Sequence, residues 1–188
     1  MRVSEIDNHS HLEIPNLYID MDGVLCDFFH AWATKHEDHQ DYNEMKTAMD
    51  PEEMENSIRE LASSHKVEDF FAELAALKGG LKIIEWVRKN NIPYTILSCP
   101  LRRPGEKASI AGKKRWLDTH IGDVVNPIFR CDKERMAMQA GKPAVLVDDF
   151  GKNIKKWQEA GGIGIKHEDE NWQDTIKKLD QIYSSFLR

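Results

Sequence analysis

A chain of 188 residues can bury one hydrophobic core, and with 40% hydrophobic and 31% charged side chains it has no apolar run near the roughly 20 residues that span a bilayer, which excludes a membrane protein. A net charge of −6 disfavours a broad positive field for polyanions, so no nucleic acid polymer is expected as a partner. Cys26, Cys99 and Cys131 are too few and too far apart for a disulfide framework or a zinc site and are read as reduced thiols.

The stretch from Met1 to Pro15 is polar and lacks a basic segment followed by an apolar one, so no secretory signal is read there and the expected location is cytoplasmic. His9 and His11 in it are read as part of a solvated terminus, not as metal ligands, because no further ligand accompanies them. The first strand is predicted at Leu17 to Ile19. From Asp27 to Leu77 follows a segment rich in helix formers and aromatic residues, with no convincing strand; between Glu37 and Glu60 it holds nine acids against two bases. Leu81, Ile84 and Val87 then recur at helical spacing up to Asn90, and a second strand is predicted at Tyr94 to Leu97. The run Arg102 to Arg115 holds six bases and only Glu106, the pattern of a solvated helix face. A weaker strand is predicted at Val124 to Phe129, a strong one at Ala144 to Val147, a helix through Ile154 and Trp157 ending at Gly161-Gly162, and a last weak strand at Ile163 to Ile165.

Strands alternating with helices predict an α/β fold: a Rossmann-like, doubly wound parallel sheet, because each parallel crossover needs a helix to return the chain. The 27–77 segment breaks the alternation and is read as a small helical cap inserted after the first strand, leaving 16–26 and 78–188 as the core of a single domain.

In such sheets ligands sit beyond the carboxyl ends of the strands, so the polar residues ending each apolar run are the candidates. These are Asp20-Met21-Asp22-Gly23 after the first strand, Ser98 after the second, Lys133 after the weak one and Asp148-Asp149 after the strong one. A period of two places Asp20 and Asp22 on one side if the strand continues through them. Several converging carboxylates are costly unless a hard cation neutralises them, and Mg2+ is the natural choice. Lys133 can neutralise phosphoryl oxygens, and the Ser98 hydroxyl can donate to them. Each element alone is commoner as a turn or cap; the joint order is what points to phosphoryl transfer. Phe28, Phe29, Trp32, Phe70 and Phe71 lie at the two ends of the cap, where a ring is more often core, although at least one is expected to face substrate and stack on a base.

The run Tyr18 to Asp27 resembles the first motif of the haloacid dehalogenase (HAD) superfamily, Ile96-Leu97-Ser98 its second, Lys133 its third and Val147-Asp148-Asp149 its fourth. Within that superfamily the chain is most similar to 5'(3')-deoxyribonucleotidases, through Asp69-Phe70-Phe71 before Gly79-Gly80, Ser98-Cys99-Pro100, the helix Gly112 to Trp116 with Gly122 beyond it, and Asp132-Lys133. It departs from that pattern at Cys99, where a second hydroxyl residue is common, and at Cys131, where an arginine is common; Arg130 stands one position earlier.

The resemblance implies a Rossmann-like core, a cap after the first motif and an aspartyl-phosphate intermediate. It further implies magnesium held by Asp20, the backbone carbonyl of Asp22 and either Asp148 or Asp149. In this reading Asp20 is the nucleophile, Asp22 the general acid and base, and Lys133 a charge-neutralising catalytic group. Substrate contacts are expected from Ser98, Cys99, Phe28, Phe29 and Arg130. The expected partner is a small-molecule phosphomonoester, a deoxyribonucleoside monophosphate, and a homodimer is compatible with the reading. Alternatives are a sugar-phosphate phosphatase or phosphotransferase of the same superfamily, a non-catalytic phosphate-binding protein, and a phosphorelay receiver, whose adjacent acidic pair comes early in the chain instead of last.

Overall fold

The computed structural model describes residues 14–122 and 126–186. Its strands are β1 (Leu17–Ile19), β2 (Tyr94–Ser98), β3 (Ile128–Phe129), β4 (Met138–Gln139), β5 (Lys142–Pro143), β6 (Val145–Asp148) and β7 (Ile163–Lys166). Five of them form one parallel sheet in the order β3-β2-β1-β6-β7, and β4 and β5 make a separate antiparallel pair. In the register, Tyr18 lies between Thr95 on one side and Leu146 on the other. The chain thus builds outward from β1 in one direction and then in the other, which opens a crevice beyond the carboxyl end of β1.

Helices cover both faces, as the doubly wound class requires. On one face Leu17, Ile19, Ile96, Val145 and Val147 share a core with Ile83, Ile84 and Val87 of α5 (Lys78–Lys89) and with Leu179 and Tyr183 of a later helix (Trp172–Tyr183). On the other face Tyr18, Leu97 and Leu146 pack with Ile154 and Trp157 of a helix at Gly151–Glu159, the Tyr18 and Trp157 rings meeting edge-on at 5.6 Å. Full burial of such side chains stabilises by about 1.5–3 kcal/mol each, so the alternation Leu17, Tyr18, Ile19 is what fixes which face is which.

Between β1 and α5 the chain is helical: α1 (Phe28–Ala31), a π-helical turn (Trp32–His36), α2 (Tyr42–Ala48), α3 (Pro51–Ser63) and α4 (Val67–Ala72). The acids that gave this segment its charge partly serve as caps. Asp41 accepts from the Asn43 and Glu44 amides, and Asp50 forms a reciprocal capping box with Glu53 ahead of Pro51. Each such cap is worth about 1 kcal/mol. The remaining helices are α6 (Glu106–His120), α7 (Gly151–Glu159) and α8 (Trp172–Tyr183), with 3-10 turns at Lys133–Met136 and Asp169–Asn171. Among the described residues no helix is long and apolar enough to cross a membrane.

Three sequence expectations change. β2 and β6 run on through Ser98 and Asp148, so these polar residues end the strands from within and are wholly buried. The weak strand is confined to Ile128–Phe129; Val124 and Val125, like His9 and His11, lie outside the described residues. Cys99 and Cys131 are not reduced thiols but a disulfide, with Cα atoms 4.4 Å apart. They lie 32 residues apart in sequence, yet each follows one of two adjacent parallel strands, so the pairing of Ser98 with Phe129 brings them together. Cys26 remains free and buried.

Candidate active site

The backbone amide of Asp20 donates to the Val147 carbonyl at 2.9 Å, extending the β1–β6 pairing by one residue and setting Asp20 beside Asp148. Asp20, Asp148 and Asp149 each bring a carboxylate oxygen to within 4.8 Å of the others. Gly23, at φ +76°, turns the chain against them: a side chain there would overlap the Asp149 carboxylate, so only glycine fits both the backbone and the space.

Lys133, the first residue of the 3-10 turn, reaches this cluster from the far end of β3. The residue is 2% exposed, and its ammonium lies 2.8 Å from Asp20 Oδ1 and 2.7 Å from Asp148 Oδ2. Burial alone would lower its pKa, but the Asp20 and Asp148 carboxylates outweigh that and hold it above the ordinary value, so it is charged. Asp148 accepts further from the Phe150 amide at 2.8 Å and from Asn153 Nδ2 at 3.1 and 3.2 Å, while the Met21 amide donates to Asp20 Oδ1 at 2.7 Å.

One lysine does not neutralise three acids, two of them buried and Asp149 partly so. Desolvation, then Asp20, pushes Asp148 up to about 6, and desolvation with the Asp20 and Asp148 charges pushes Asp149 up to about 8. All-oxygen donors short of positive charge fit a hard divalent cation such as magnesium, which binds through one or two carboxylates and keeps waters.

A testable consequence is a pH-dependent effect of magnesium on stability. Both folded pKa values lie above the ordinary unfolded value of about 3.9. The stability these groups contribute without metal is therefore full below that value and lost as pH rises through about 6 and about 8. A cation that binds the ionised form offsets the loss, so the rise in Tm on adding Mg2+ should be larger at pH 8.5 than at pH 6 in scanning calorimetry. A shift that shrinks with pH contradicts metal binding at this cluster.

Asp22, just beyond the end of β1, is held by a second lysine. Its Oδ2 lies 2.5 Å from the ammonium of Lys113, which also donates to Ser98 Oγ at 2.8 Å and to the Cys99 carbonyl at 3.0 Å. Burial raises the Asp22 pKa, Lys113 opposes it, and Asp20 adds to it, with a net rise. Lys113 entered the sequence reading only within the Gly112 to Trp116 helix and not as a site residue, and Asn153 not at all. The usable signal was the helical spacing of Ser109, Gly112, Lys113 and Trp116, all buried on one face of α6. That face seats tightly because Gly112 has no side chain; a Cβ there would overlap the Glu68 carbonyl of α4.

The other sequence candidates are placed differently. Phe28, 7% exposed, stacks on Phe71 at 5.7 Å and touches Phe29, Trp32 and Phe70, the surroundings of a core ring. Phe29 is half-buried against Tyr42, their rings 4.8 Å apart. Burial, then the Asp149 charge, raises the Tyr42 pKa. Arg130 is engaged by Asp132, Nε to Oδ1 at 2.8 Å, and its hydrogen bonds hold the Asp132 pKa down to about 2. The Cys99 sulfur is bonded to Cys131, so it presents no thiol to a ligand.

The model of the family "5' nucleotidase, deoxy (pyrimidine), cytosolic type C protein" matches residues 14–180. No curated protein sequence matches the chain. Among solved structures, a Thermotoga maritima protein assigned as a beta-phosphoglucomutase is 16% identical with a TM-score of 0.51, covering 88% of this chain and 99% of its own. A HAD hydrolase of family IA from Entamoeba histolytica is 15% identical with a TM-score of 0.49, covering 89% of each chain. A HAD family enzyme of Bacteroides thetaiotaomicron, in complex with magnesium and inorganic phosphate, is 15% identical with a TM-score of 0.42 over 83% of this chain and 95% of that one. At such identities the Thermotoga likeness speaks to the fold alone.

Proposed function

Because the chain belongs to the cytosolic type C deoxy (pyrimidine) 5' nucleotidase family, within the HAD phosphatases, we propose that it is a magnesium-dependent 5'(3')-deoxyribonucleotidase working through an aspartyl-phosphate. The observation that carries the reading is Lys133 bridging Asp20 and Asp148 at the carboxyl ends of adjacent strands. Asp20 attacks phosphorus, Asp22 protonates the departing oxygen and then takes a proton from the hydrolytic water, and Lys133 and Ser98 bind phosphoryl oxygens. Magnesium, when bound, offsets phosphoryl charge and would be held by Asp20, the Asp22 carbonyl and Asp149. Asp149 is preferred over Asp148 because both Asp148 oxygens already accept hydrogen bonds from Lys133, Asn153 or the Phe150 amide.

The helices over residues 27–77 serve as the cap in this proposal, and Phe29 with Tyr42 is its surface for the base. Stacking there supplies roughly 1–3 kcal/mol and tolerates any base. A cytoplasmic setting belongs to the same proposal; there the Cys99–Cys131 pair meets reducing thiols. Phosphate release from deoxyribonucleoside, ribonucleoside and hexose monophosphates should give the highest kcat/KM with a deoxyribonucleoside monophosphate. A higher value for a hexose phosphate sinks the nucleotidase assignment and leaves a sugar-phosphate phosphatase.

A further inference from the structure

Resting on the phosphoryl-transfer reading of the site, we propose that Lys113 is a positioning residue that turns the Ser98 hydroxyl proton toward the transferring phosphoryl group and locks Asp22 beside it. The Lys113 side chain is fully buried and comes from a helix that carries no other part of the site. An ammonium has three N–H donors and no acceptor. All three are matched: Asp22 Oδ2 at 2.5 Å, Ser98 Oγ at 2.8 Å and the Cys99 carbonyl at 3.0 Å. A buried charge with saturated donors has one orientation, so its partners are fixed too.

For Ser98 the consequence is directional. Lys113 can only donate, so Ser98 Oγ receives that bond with a lone pair, and its own proton has to go elsewhere. Among the described residues no acceptor takes it, although the residue is 0% exposed and strand-borne. The acceptor that completes the set is a phosphoryl oxygen, and the ammonium's pull on Oγ makes the hydroxyl a stronger donor toward it. The same ammonium keeps the Asp22 carboxyl from swinging out of the crevice. Two buried lysines thus divide the site, Lys133 on Asp20 and Lys113 on Asp22.

The bland reading is that Lys113 merely ties α6 to the β1 loop. A double-mutant cycle separates the two. Ser98→Ala alone should lower kcat for a nucleoside monophosphate about 10²-fold, the loss typical of one oriented donor to a developing oxyanion. Lys113→Met should lower kcat at least as much with KM changed less than about threefold, because the loss falls on the transition state. In the Lys113→Met background, Ser98→Ala should then cost less than about threefold, since an unfixed hydroxyl has little left to lose. Ethylammonium should restore activity to Lys113→Ala, and ethanol should not.

Multiplicative losses in the double mutant, or equal rescue by ethanol, overturn the proposal and leave a structural role. If Lys113→Met does not fold, Lys113→Ala, which likewise removes every N–H donor to Ser98, takes its place in the cycle. Asp20→Asn is run alongside: if it stays active, the phosphoryl-transfer reading itself fails, whereas a dead Asp20→Asn with an additive cycle sinks only the role of Lys113.

Discussion

Asp20→Asn is expected to abolish turnover, by at least ~10³-fold for every phosphomonoester, in the range seen when a catalytic nucleophile is removed. The geometry says why the loss should be general. Oδ1 of Asp20 is held by Lys133 at 2.8 Å and by the Met21 amide at 2.7 Å, which fixes the carboxylate at the end of β1. An amide offers no nucleophilic oxygen anion, and its neutral group also leaves Lys133 to Asp148 alone. Leaving-group quality cannot compensate, because the bond that fails to form is the one to the enzyme. Steady-state rates with a nucleoside monophosphate and p-nitrophenyl phosphate, set beside thermal melts to show that the variant is folded, check this. Recovery of activity with the aryl ester contradicts the assignment.

How much of this was legible in the sequence depends on the kind of signal each residue carries. Asp20 and Asp148 were readable because each closes an apolar run, Lys133 because it follows one a few residues on, and parallel strands deliver their carboxyl ends to one edge. Lys113 was not, because it sits in the basic run Arg102 to Arg115, which reads as a wet helix face. A period of 3.6 separates neighbours: Lys113 is buried while Lys114 and Arg115 are exposed. The disulfide was hidden for a different reason. Its cysteines are remote in sequence, and only the β2–β3 pairing, not their spacing, makes them adjacent. The β4–β5 hairpin, with two residues per strand, is too short to show any periodicity at all. Phe28 and Phe29 are adjacent and chemically identical, so nothing in the sequence says that one is packed against Phe71 while the other meets Tyr42.

Asp22→Asn should fail in another way, and the difference is what separates its role from that of Asp20. Its carboxyl is pulled two ways: burial favours the protonated acid, Lys113 favours the carboxylate, and burial prevails. A carboxyl raised above its ordinary pKa, two residues past the nucleophile, can give a proton to a departing nucleoside alkoxide and recover it from water. The amide can do neither. A nucleoside alkoxide, a poor leaving group, needs that proton, so turnover of nucleoside monophosphates should collapse at the first step. A p-nitrophenolate leaves without help, so with p-nitrophenyl phosphate the first step should survive and the second should stall. Phosphoenzyme then accumulates, and rapid-quench kinetics should show a burst approaching one equivalent of p-nitrophenolate per active site, followed by slow turnover. Asp20→Asn should show no burst with any substrate. A burst from Asp20→Asn, or equal losses in both variants whatever the leaving group, would mean that the nucleophile and the acid have been assigned the wrong way round.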